Sequence, residues 1–287
     1  MKKVLLPFLL LMLILAVVPD AKAQIPRERS GSAAVVEELF WAPSIILQPS
    51  STQIDKGNLD FTIQHAFGLV SRGVKNLYGL DDPANIRFGL DYGVRDWLSA
   101  GIGRSRFDKT FDGRIKLRLT SDPALRTNVF VNAAVETPED GRSFEHRMSY
   151  FSGLLLSRKI SEKLFVQVMP AWSHFNLVDI NKLPDASIEA GENDHFILGV
   201  AARYELSEQV SALLDYMPVL GNRSDNTNNV VSIGMDFEAG GHVFQMFFTS
   251  TQWITPQHAI SESQRSISDG DLGFGFNIHR MFGSSTR

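Results

Sequence analysis

The sequence contains no cysteine among its 287 residues. That excludes a disulfide framework, and it excludes a lipid-modified cysteine at the start of an exported chain. Charge of one sign is also scarce. Lys and Arg number 28 against 32 Asp and Glu, a formal net charge of −4. Nothing here has the basic footprint of a nucleic-acid binder, and none is expected as a partner. Beyond residue 18 no apolar run approaches the roughly 18–20 residues of a transmembrane helix. The seven histidines form no H-x-H or H-x-x-x-H pair of the kind that often marks a metal site.

What is present begins with a leader. Lys2 and Lys3 precede a continuous apolar run, Val4–Val18, and Ala21-Lys22-Ala23 supplies a small-residue cleavage site. Such a pattern reads as a secretory signal peptide over residues 1–23, cut between Ala23 and Gln24.

From Leu59 onward apolar and polar residues alternate with a period of two, the signature of strands with two different environments. About twelve strands are expected. The first six are Leu59–Gly68, Asn85–Gly93, Trp97–Arg106, Arg114–Thr120, Thr127–Glu136 and Met148–Arg158. The second six are Leu164–Trp172, His195–Glu205, Val210–Tyr216, Asn229–Phe237, His242–Ser250 and Leu272–Phe282. Their length matches the 9–11 residues that a tilted strand needs to cross a bilayer. The connections alternate between tight turns, such as Val94–Asp96 and Glu238–Gly241, and long loops, such as Leu69–Ala84 and Thr251–Asp271. An antiparallel up-and-down meander puts all short turns at one end and all long loops at the other, a segregation that a soluble sandwich has no reason to show. The fold class expected is therefore all-β, a transmembrane antiparallel barrel with short periplasmic turns and long extracellular loops. It should occupy residues 58–283, followed by a short tail at 284–287.

The parity of charge identifies the wet face. Arg114, Lys116 and Arg118 alternate with Ile115, Leu117 and Leu119, and such charges point neither into hydrocarbon nor into a dry core. On that parity Arg87, Asp91, Arg114, Lys116, Arg118, Glu136, Arg203, Glu205, Asp215 and Asp236 are expected to line a lumen. Charged walls of this kind set ion or solute selectivity, or pair across strands and fill the interior. Tyr92, Tyr204, Phe237 and Phe282 fall at the periplasmic ends of strands on the outward parity, as an interfacial aromatic girdle would. Residues 24–57 precede the meander, and the apolar stretch Leu39–Leu47 (LFWAPSIIL) reads as a plug, a periplasmic latch or an additional strand. An even strand count favours the first two.

The stretches GNLDFTIQHAFG (57–68), NLYGLDDPANIRFGLDYGVRDWLSAGIGRSRFDKTFDGRIKLRL (76–119), FEAGGHVFQMFFTST (237–251) and GFGFNIHRMF (273–282) carry a resemblance. The chain resembles, from about Leu39 to Phe282, a family of Bacteroidota outer-membrane β-barrel proteins classed as a domain of unknown function. That resemblance implies an outer-membrane barrel and implies no activity.

Candidate chemistry is thin. Gly101-x-Gly103 lacks the third glycine of a dinucleotide fingerprint, Arg106 standing in its place, and the segment is strand-turn-strand. Alternating glycines here are expected to make room for larger inward side chains. His146, His174, His195 and His258 fall in or near long loops, but no metal or other cofactor is assigned. His65, His279 and a nearby serine fit an outer-membrane acyl hydrolase, yet His65 lies on the apolar parity and no third group orienting a base is identifiable. The expected protein is an outer-membrane barrel without enzymatic activity, in contact with lipid and passing a small solute. A structural, adhesion or secretion-associated barrel is the alternative, and no protein partner is identifiable.

Overall fold

The computed structural model describes residues 38–122, 124–137, 141–177, 192–224 and 227–283. The leader, its cleavage site at Ala23 and Gln24, and the tail at 284–287 lie outside the described residues.

Twelve antiparallel strands close into one barrel. They are β1 (Leu59–Leu69), β2 (Asn85–Arg95), β3 (Leu98–Ser105), β4 (Phe111–Thr120), β5 (Arg126–Val135) and β6 (Met148–Lys159). The second half contributes β7 (Leu164–Phe175), β8 (Asp194–Ser207), β9 (Val210–Met217), β10 (Val230–Ala239), β11 (His242–Thr249) and β12 (Gly273–Phe282). Each strand pairs with its sequence neighbours, and β12 closes the ring on β1 with Ile278 opposite Ile63 and Phe282 opposite Leu59. Closure removes the unpaired edges that an open sheet would present to lipid. Among the described residues no helix is long and apolar enough to cross a membrane.

The boundaries fall within a few residues of the sequence expectation. Two strands gain three residues at one end: β7 runs on to Phe175, and β4 starts at Phe111, which brings Asp112 onto the inward face. Pro218 ends β9, and Val219–Gly221 beyond it resumes pairing with β8. Of the tight turns, Gly240 and Gly241 between β10 and β11 both take positive φ (57° and 77°), a conformation open to glycine at no steric cost.

Alternation sorts the side chains as the parity argument requires. Phe88, Leu90, Ile102, Ile115, Leu119, Val131 and Ile233 stand exposed on the outer surface. Arg87, Lys116, Arg203, Asp215 and Asp236 are buried inside.

The interior is filled from both ends. Residues 38–57 run through the half of the barrel nearest the short turns, and Leu39, Phe40, Ile45, Ile46 and Leu47 are buried against Phe130, Phe151, Leu155, Phe165, Met169 and Leu213 of the wall. Ser44–Ile45 and Gln48–Pro49 pair with each other as a miniature hairpin separate from the barrel sheet. Its turn holds Ile46 at φ 54°, an unfavourable left-handed conformation for a β-branched residue. Surrounding contacts offset that strain: Ile46 is fully buried and its carbonyl accepts from Asn277 Nδ2 at 2.8 Å.

At the long-loop end the connection between β11 and β12 folds inward. It carries a single-turn helix, α1 (Pro256–Ser261), started by Pro256 in its first turn and buried along its whole length. Gln257 Nε2 donates to Asn132 Oδ1 on β5 at 2.8 Å, and Trp253 packs edge-on against Phe107.

Candidate functional site

Between the hairpin of residues 44–49 and α1 lies a cavity of ≈ 70 Å³. Its wall includes Thr62, Gln64, Arg87, Asp91, Ser99, Arg114, Lys116, Asn132 and His279; Ser44 and Leu47 form its floor, and Thr255 and Pro256 its roof. At the long-loop end an open groove of ≈ 620 Å³ is lined by Arg106, Phe107, Gln252, Trp253, Glu262 and Arg265 among others.

One side of the cavity is a charge network spanning β1, β2, β4 and β5. Arg87 forms a two-pronged contact with Asp112, Nε to Oδ1 at 2.9 Å and Nη2 to Oδ2 at 2.7 Å. Its third nitrogen donates to Gln64 Oε1 at 2.9 Å. Arg114 bridges Asp112 (2.9 Å) and Asp91, which its Nε reaches at 2.6 Å while Nη2 meets the other carboxylate oxygen. Asn132 Nδ2 adds a fourth contact to Asp112 at 3.2 Å. The ions are paired and hydrogen-bonded in the planar two-pronged geometry that makes burial tolerable.

Glycines create the space for this network. A Cβ on Gly101 would lie 1.9 Å from Asp91 Oδ1, and one on Gly103 would lie 2.1 Å from Arg87 Nη2. The Gly101-x-Gly103 pair therefore serves inward side chains, as the alternation implied.

Four of the other predicted charges, Lys116, Arg118, Arg203 and Asp215, grip residues 38–57. Lys116 Nζ donates to the carbonyls of Pro43 (3.1 Å) and Thr52 (2.9 Å). Arg118 and Arg126 both bind the Glu38 carboxylate, Arg126 at 2.8 Å. Arg203 donates to the Leu39 carbonyl at 2.7 Å, pairs with Glu205, and lies against the rings of Trp41 and Phe165. Asp215 accepts from the backbone amides of Leu47 (2.9 Å) and Gln48 (3.0 Å) and from Gln48 Nε2 (2.6 Å). Asp236 is fully buried on β10. Glu136, just past β5, binds Arg142 at 2.7 Å and His258 Nε2 at 3.2 Å.

The loop histidines do not gather at one point. His174 pairs with Asp194, His195 meets Ser224, and His258 sits between Thr255 and Glu136. Among the described residues the group able to hold a cation is Glu136, His258 and Glu262, whose ligand atoms lie within 4.8 Å of one another. His65 stays on the outer face, stacked on Phe276 at 4.5 Å. Tyr92, Tyr204 and Phe282 are exposed and Phe237 is half-buried, all at the short-turn end.

Sequence reasoning missed Glu38, Asp112, Arg126 and the inward apolar residues. Glu38 precedes the meander and carries no periodic signal, whereas Arg126 shares the inward parity of Asn128 and Asn132 and lies one residue before the expected start of its strand. The apolar residues also carry a signal, since inward Phe130, Phe151 and Met169 make sense only against apolar side chains inside the barrel.

The chain belongs to the family described as membrane bound beta barrel domain (DUF5777), which matches residues 40–282. No curated protein matches it. Among solved structures it is similar to the porin NanC, at 8% identity and a TM-score of 0.51, over 79% of this chain and 99% of NanC. It is also similar to the porin KdgM, at 6% identity and a TM-score of 0.46, over 78% of this chain and 99% of KdgM. At such identities the likeness to NanC concerns the fold alone.

Proposed function

We propose that this membrane β-barrel resides in the outer membrane as a gated, narrow passage for a small polar solute. Residues 38–57 are its plug and α1 its outer cover. The observation that carries this reading is the way the interior is filled. Side-chain hydrogen bonds and ion pairs from Lys116, Arg118, Arg126, Arg203 and Asp215 hold the plug, and no strand of the barrel sheet includes it. An element held in this way can leave without opening the barrel.

In this reading, residues 1–23 direct export and cleavage leaves Gln24 as the first residue. The exposed apolar belt faces lipid, with Tyr92, Tyr204, Phe237 and Phe282 at its periplasmic rim. The ten charged residues on the inward parity set the polarity of the path. The filled interior also supports a second reading, a permanently closed barrel whose long loops make contacts in a structural or adhesive role.

Conductance across planar bilayers decides between them. The full-length protein should show rare small openings, and a variant lacking residues 38–57 should conduct more, provided it still runs as a folded, heat-modifiable band. Absence of conductance from both proteins would overturn the passage.

A further inference from the structure

Three side chains beside the charge network form a file across the seam of the barrel. Ser44 Oγ lies 3.1 Å from His279 Nε2. On the other side of the ring, His279 Nδ1 lies 3.0 Å from Asp60 Oδ2. Thr62 Oγ1 donates to the same Asp60 oxygen at 2.9 Å, steadying the carboxylate. With the Nδ1 proton shared with Asp60, Nε2 is left to accept from Ser44, the order required to activate a hydroxyl. Asp60 is fully buried and His279 nearly so, while Ser44 and His279 both border the cavity.

We propose that Ser44 is a nucleophile for acyl transfer from short-chain esters of polar solutes, with His279 as general base and Asp60 as the carboxylate that orients it. The cavity has room for a small acyl group: at ≈ 70 Å³ it holds a few waters, enough for an acetyl-sized group. Lys116, which touches Pro43 just before the nucleophile and borders the same space, supplies positive charge for the oxyanion. Ser44 Oγ attacks the ester carbonyl carbon as its proton passes to His279 Nε2. The bond from carbon to the alcohol oxygen then breaks, and the alcohol departs with that proton. Water attacks the acyl-Ser44, releasing the carboxylic acid and restoring the hydroxyl.

Two rival groups are set aside on different grounds. His195 also meets a serine, Ser224 at 3.3 Å, but among the described residues its Nδ1 has no hydrogen-bond partner. Thr255, His258 and Glu136 follow the same chemical order, but Thr255 is the cap of the very helix that carries His258, so this contact is local.

The proposal needs a small ester to reach the cavity and does not need ions to be conducted, so it fails separately from the passage. The test uses the full chain folded in detergent, with p-nitrophenyl acetate and a short alkyl fluorophosphonate as probes. We expect a burst of about one nitrophenolate per barrel and a phosphonyl adduct mapped to Ser44. Ser44→Ala should abolish both. Asp60→Asn should slow labelling by about 100-fold while the heat-modifiable band is retained. The proposal is overturned if the wild type is not labelled, if the adduct maps to Thr255 or elsewhere, or if Ser44→Ala hydrolyses ester like the wild type.

Discussion

Gln48 Nε2 donates to Asp215 Oδ1 at 2.6 Å, placing a carboxylate of the wall directly beneath the hairpin inside the barrel. The backbone amides of Leu47 and Gln48 donate to its other oxygen, so one side chain satisfies three donors. Asp215→Ala leaves all three buried without that acceptor, at about 1–3 kcal/mol for each donor left unsatisfied. Hydrogen exchange across residues 44–53 should quicken in this variant while the barrel strands keep their protection. Unchanged exchange in that stretch would show that Asp215 does not hold it.

Asp112 is shared between two arginines and sits where no solvent reaches it. Asp112→Leu leaves Arg87 and part of Arg114 buried without compensation, and should cost about 3–5 kcal/mol. Replacing Arg87 by Leu as well should recover much of that loss, because the uncompensated charge goes with it. Denaturant unfolding of the two variants in detergent measures the difference. A double variant less stable than the single one contradicts this account.

The glycines offer a matched pair. Gly103→Ala places a methyl 2.1 Å from Arg87 Nη2, whereas a Cβ on Gly113 meets nothing within 4 Å. The first substitution should destabilise by about 1–3 kcal/mol through forced displacement of the guanidinium, and the second should be close to neutral. Equal melting temperatures for the two would remove the packing argument.

Ile115 and Lys116 are neighbours on β4 that face opposite ways, the first exposed on the outer surface and the second buried inside. In lipid vesicles Ile115→Arg should lose about 2–4 kcal/mol, the cost of a cation near the bilayer midplane. A soluble barrel would accept the same change with almost no penalty. Unfolding titrations in vesicles and insertion yields both report the outcome.

Absence of cysteine makes single labelling sites simple to install. Asp96 lies in the turn between β2 and β3, and Phe144, 62% exposed, lies in the long connection before β6. On intact cells an impermeant maleimide should label Phe144→Cys and spare Asp96→Cys. The reverse pattern would invert the assigned orientation.

Much of the fold was legible because it rests on a period. Arg114, Lys116 and Arg118 announced the inward face, and alternating loop lengths announced the meander. Those signals are local, so one chain displays them. The site was harder to read because its geometry is made by closure. His279 stood on the right parity, but Asp60 and Ser44 reach it only after β12 meets β1 and the chain before β1 turns inward. No spacing in the sequence encodes that meeting. Asp112 was overlooked for a simpler reason: Gly113 masks the alternation and makes β4 look as if it begins at Arg114.

The seam between β1 and β12 also imposes an order in time. Asp60 is among the first barrel residues a ribosome makes and His279 among the last, 219 positions later. Until the final strand docks, the serine, the imidazole and the carboxylate belong to three unconnected pieces of chain. The unfolded chain is therefore chemically inert at this locus, and docking of the last strand both seals the wall and brings its reactive trio into being.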